Sequence, residues 1–137
     1  MADQKPLILI VDDEPDMLFL YSTKLKRGGF DVVTAENGAQ GIALAKEKHP
    51  ALILMDVKMP GMNGIEAFSE LQKDPATQDI KVVFLTAFGD PGNSKIDGKF
   101  AKGVGAMDFL KKGSQDIADF ETKIRGYLGL EDDPAAK

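Results

Sequence analysis

The chain has 137 residues, 43% of them hydrophobic, with a net charge of −5 and an isoelectric point near 4.9; this suits one core and is too short for two ordinary domains, so a single domain over 1–137 is expected, its core at about 6–129. The acidic balance argues against nucleic acid or an anionic membrane as the main partner, because phosphate binding needs a basic field. Absence of cysteine excludes disulfides and thiolate chemistry, and with no apolar leader after Met1 and no apolar run near the roughly 18 residues of a membrane span, a cytoplasmic location is expected.

Taken in order, the first element is the run Leu7-Ile8-Leu9-Ile10-Val11, a strand that ends directly on Asp12-Asp13. A helix is predicted from Pro15, a residue suited to an early helical position, with Met17, Leu18, Tyr21 and Leu25 on its apolar face and a stop at Gly28-Gly29. Asp31–Ala35 reads as the second strand, and Asn37 as the N-cap of a second helix presenting Ala39, Ile42, Leu44 and Ala45 and ending near His49-Pro50. Ala51–Met55 is the third strand, ending directly on Asp56. Met59-Pro60-Gly61-Met62-Asn63-Gly64 is turn chemistry, after which Ile65, Phe68 and Leu71 recur at helical spacing as far as Asp74-Pro75.

Lys81–Thr86 and Ala106–Leu110 read as the last two strands. Between them a loose helix would carry Ile96 and Phe100, punctuated by Gly98 and Gly103, since a mid-helix glycine costs roughly 0.5–1 kcal/mol relative to alanine. The last helix places Ile117, Phe120, Ile124 and Leu128 on one face and ends near Gly129, leaving 131–137 as an acidic tail expected to be flexible.

Strands alternating with crossover helices imply an α/β fold with a doubly wound parallel sheet, whose ligands sit outside the carboxyl ends of the strands. Asp12, Asp13 and Asp56 all fall at that edge. Two like charges about 4 Å apart repel by about 4 kcal/mol at an effective dielectric near 20, so converging carboxylates need a cation, a proton or heavy solvation. Oxygen ligands without cysteine, and with one histidine in the chain, favour Mg2+, or alternatively Mn2+, over zinc or copper. Thr86 ends the fourth strand segment and Lys111-Lys112 the fifth, adding a hydroxyl and an ammonium to the same rim. That set suits phosphoryl transfer to a carboxylate, and Asp56, alone on its strand, is the favoured acceptor beside the Asp12-Asp13 pair.

These residues resemble the response-regulator receiver domain of two-component signalling, of the stand-alone type, over about Leu7 to Leu128. The resemblance is carried by Val11-Asp12-Asp13-Glu14-Pro15, by Met55-Asp56-Val57-Lys58-Met59-Pro60-Gly61-Met62-Asn63-Gly64, by Leu85-Thr86-Ala87, and by Gly105-Ala106-Met107-Asp108-Phe109-Leu110-Lys111-Lys112. It implies a flavodoxin-like five-stranded sheet of order 2-1-3-4-5 and a phosphorelay switch rather than an enzyme. By the same resemblance Asp56 is the phosphoacceptor, and Asp13, Asp56 and the main-chain carbonyl of Lys58 hold Mg2+, with Asp12 acting through water. Thr86 and Lys112 then bind the phosphoryl group, and Phe109 is the aromatic that moves with Thr86.

The partners it implies are a histidine kinase or histidine phosphotransfer protein as donor, and a separate downstream protein met across the fourth helix, fifth strand and fifth helix. Gly113 stands where the family usually has proline, Phe109 where tyrosine is more usual, and Phe88–Gly103 is a few residues longer than the common pattern. Two rivals remain: a Mg2+-dependent phosphatase, which would need a general acid and a cap segment, and a docking module that works without phosphorylation.

Overall fold

The computed structural model describes residues 5–59, 61–87, 108–112 and 120–129. The elements are β1 (Leu7–Val11), α1 (Pro15–Arg27), β2 (Asp31–Ala35), α2 (Gly38–Lys48), β3 (Leu52–Asp56), α3 (Gly64–Lys73), β4 (Lys81–Ala87), β5 (Asp108–Lys112) and a C-terminal helix (Phe120–Tyr127). All strand pairings are parallel, and the order across the sheet is β2-β1-β3-β4-β5. The expected order 2-1-3-4 is borne out, with β5 lying outside β4. The predicted helix carrying Ile96 and Phe100, the Gly113 substitution, Ile117 and the acidic tail fall outside the described residues.

The sheet is covered on both faces, and the side-chain period of two shows how. In β1 and β3, Leu9, Val11, Ile53 and Met55 pack in one cluster with Ala45 of α2 and with Ala67, Phe68 and Leu71 of α3. Their neighbours Ile8, Ile10, Leu52 and Leu54 pack in a second cluster with Leu18, Tyr21 and Leu25 of α1 and Ile124 of the C-terminal helix. Alternate residues of one strand thus point to opposite layers. Each such aliphatic side chain contributes about 1.5–3 kcal/mol on full burial, so the two central strands cannot shift register by one residue without exchanging whole layers.

Local chemistry sets the helix ends. Pro15 opens α1, and its end is closed by Gly28, whose N–H donates to the carbonyls of Lys24 and Leu25, before Gly29 turns the chain at φ 95°. The Asn37 side chain caps α2 by accepting from the Gln40 N–H at 2.8 Å, and His49 closes that helix in the left-handed region at φ 48°.

Four sequence expectations need correction. Ala39 is exposed, and the buried positions of α2 are Gly38, Gly41 and Ala45: the helix approaches so closely that a Cβ at Gly41 would stand 2.7 Å from Val11 Cγ2. Asp56 is the last residue of β3 rather than the first beyond it, because the ladder with β4 continues through the Asp56–Leu85 pair. β4 runs on past Thr86 to Ala87. β5 begins and ends two residues later than expected, so Lys111 and Lys112 lie inside it.

Candidate functional site: an acidic edge between β1 and β3

Register brings the acidic residues together. Val11 pairs with Met55, so Asp12 and Asp56 are the next residues on two adjacent strands that run the same way. Asp12 stays attached to the sheet, its N–H donating to the Ala35 carbonyl at 3.0 Å. Its side chain is buried, and its Oδ1 accepts the Glu14 N–H at 2.9 Å, closing the turn that leads into α1. Asp56 is also buried, with Oδ1 at 3.4 Å from the Lys58 nitrogen.

One carboxylate oxygen from each of Asp12, Asp13, Glu14 and Asp56 lies within 4.8 Å of the others, Asp13 and Glu14 being exposed at the mouth and Asp12 and Asp56 buried beneath them. Among the described residues this is the group of carboxylates that could hold a metal ion. Its donor set is oxygen alone, which matches a hard divalent cation such as Mg2+. Glu14 is a member that the sequence reading did not select, although it follows Asp12-Asp13 directly.

The chain beyond Asp56 is held tightly. Val57 N–H donates to the Leu85 carbonyl and Gly64 N–H to the Val57 carbonyl, each at 2.9 Å, and a Cβ on residue 64 would collide with the Asp56 carbonyl oxygen. Only glycine can open α3 so close to the strand end. The helix is started by a capping box, in which Asn63 Oδ1 accepts the Glu66 N–H at 2.8 Å and Glu66 Oε1 accepts the Asn63 N–H at 3.0 Å. Met59 is buried in the core, and Met62 packs where a Cβ on Gly38 would meet its sulfur at 3.1 Å. Lys58 is exposed.

For the remaining predicted site residues, main-chain register is what the structure provides. Leu85 pairs with Asp56, so Thr86 is one residue further along the same rim; Thr86 pairs with Lys111, Ala87 with Lys112, and Phe84 with Phe109. The side chains of Thr86, Phe109 and Lys112 lie outside the described part of the structure.

Residues 8–125 match the response regulator receiver domain family. The chain belongs to that family. Protein PilH of Pseudomonas aeruginosa is 40% identical over 105 residues, which are 77% of this chain and 84% of PilH. The DNA-binding dual master transcriptional regulator RpaA of Synechocystis is 37% identical over 90% of this chain, which spans about half of RpaA, 49% of its length. Among solved structures, the Vibrio cholerae chemotaxis protein CheY4 superposes with a TM-score of 0.74 at 26% identity, covering 89% of this chain and 98% of CheY4. Receiver domains are phosphoacceptor modules of two-component signalling rather than classical enzymes, and they interact with histidine kinases and downstream effectors. In this receiver the cluster of Asp12, Asp13 and Asp56 is suited to Mg2+. Among the described residues, no helix is long and apolar enough to cross a membrane.

Proposed function

We propose that this receiver is a Mg2+-dependent phosphorelay switch of the cytoplasm, in which Asp56 accepts the phosphoryl group from a histidine kinase or histidine phosphotransfer protein. The observation that carries this reading is the placement of Asp56, buried at the last position of β3 yet within 4.8 Å, oxygen to oxygen, of Asp12, Asp13 and Glu14. In the transfer, an Asp56 carboxylate oxygen forms a bond to phosphorus as the phosphorus–nitrogen bond of the donor histidine breaks and the imidazole leaves with the electron pair. Asp13, Asp56 and the Lys58 carbonyl would hold Mg2+, with Asp12 acting through water; when bound, the ion offsets the charge of the carboxylates and of the incoming phosphoryl oxygens.

Thr86 and Lys112 are assigned to the phosphoryl oxygens and Phe109 to the response, supported by their family positions and by the register that sets Thr86 next after the partner of Asp56. The added charge of about −2 biases a two-state rearrangement through these residues. The signal then passes to a separate protein across the side of the domain that carries β5 and the C-terminal helix.

Intact-protein mass after incubation with acetyl phosphate and Mg2+ tests the reading, with Asp56→Asn and EDTA as controls. A gain of one phosphoryl group that needs Mg2+ and disappears in Asp56→Asn is expected. Folded protein that gains nothing under any condition would put the phosphorylation-independent docking module in its place.

A further inference from the structure

We propose that Glu14 is a fourth acidic group of the metal centre, one that tightens the hold on the divalent cation while opposing the approach of the anionic phosphoryl donor. The inference rests on the reading of the acidic edge as a Mg2+ site.

Glu14 occupies the N-cap position of α1, in extended conformation at φ −100° and ψ 111°, and its side chain makes no capping hydrogen bond to the helix. Its main chain is nevertheless fixed on both sides. The N–H donates to Asp12 Oδ1 at 2.9 Å, the carbonyl accepts from Met17 and Leu18 at 3.1 Å each, and Pro15 follows with its restricted φ. The side chain therefore starts from a defined point on the acidic edge, and its carboxylate stands within 4.8 Å of oxygens of Asp12, Asp13 and Asp56.

If all four carboxylates of the cluster are ionised they bring −4 to the edge, and a divalent cation reduces that to about −2, since −4 + 2 = −2. With Gln at position 14 the loaded site carries about −1. The ion and the donor have opposite charges, so one negative group at the mouth acts on them in opposite directions, and its exposure limits both effects through solvent screening. A side chain that merely supported the local fold would impair both together.

The test is calorimetric titration with MgCl2 of the wild type, Glu14→Gln and Asp13→Asn, followed by the rate of modification by acetyl phosphate at saturating Mg2+. Glu14→Gln is expected to weaken Mg2+ binding by about 3- to 10-fold and to speed modification by about 2- to 5-fold, with both differences shrinking as KCl is added. Unchanged Mg2+ affinity in Glu14→Gln beside weakened binding in Asp13→Asn would overturn the role of Glu14 alone. Slower modification of Glu14→Gln at saturating Mg2+ would also overturn it. Wild-type affinity in Asp13→Asn would bring down the underlying metal-site reading, and this inference with it.

Discussion

The carbonyl oxygen of Asp56 occupies the space that a Cβ on residue 64 would need. Gly64 is therefore the spacer between the proposed phosphoacceptor strand and α3. Gly64→Ala is expected to lose about 1–3 kcal/mol by overpacking, read from the urea midpoint. Because the displaced atoms belong to the proposed acceptor residue, it should also slow modification by acetyl phosphate on the order of tenfold or more under conditions where the protein is still folded.

Crowded carboxylates store repulsion that a cation relieves. Asp13→Asn is expected to raise the melting temperature of the Mg2+-free protein by a few degrees, corresponding to about 1 kcal/mol. The same variant should show less of the stabilisation that Mg2+ gives the wild type. Thermal melts with and without MgCl2 check both, and a Mg2+-free melting temperature below that of the wild type would count against stored repulsion.

The reciprocal bonds between Asn63 and Glu66 start α3 immediately after the loop that follows Asp56. Asn63→Ala should cost about 1 kcal/mol of stability. Hydrogen exchange should rise first at the N–H of Glu66, which loses its acceptor, while β1 and β3 keep their protection.

Asp74 lies at the end of α3, where the Ala76 N–H and then Lys46, 3.2 Å away, hold its carboxyl below the usual range. A carboxyl whose folded value is depressed contributes stability that is present above its unfolded value and is lost as pH falls through the folded one. Asp74→Asn should therefore be less stable than the wild type at neutral pH, with the gap closing as pH falls through and below the ordinary carboxylate range. Urea midpoints measured across that range check the sign, and a gap that widens on acidification would contradict it.

Much of this was legible in the sequence because the signals are local. Leu7–Val11 and Asp31–Ala35 are strands over the residues read from their aliphatic runs, Pro15 and Asn37 begin helices by their own chemistry, and Asp12, Asp13 and Asp56 meet because parallel strands end at one edge. What depended on other parts of the chain was misread. The end of β3 is set by the ladder to β4, so a polar residue at the end of an aliphatic run did not mark it. Ala39 looked apolar enough to bury, yet Gly41 decides which side of α2 approaches Val11. Glu14 was given no role of its own from the sequence, and its membership of the cluster follows from the turn that Asp12 closes. The roles given to Thr86, Phe109 and Lys112 rest on family position and strand register.

Asp56 grows from a backbone clamped to β4 through Val57 and roofed by Gly64. Such a seat has no recoil. Lengthening the side chain to glutamate would drive the carboxylate outward by one methylene with no compensating retreat, so Asp56→Glu would meet its neighbours at a new depth rather than imitate the charged state. On the proposed reading the same hold turns the strand into an anvil: a phosphoryl group carried by Asp56 would press on its surroundings rather than displace its own backbone.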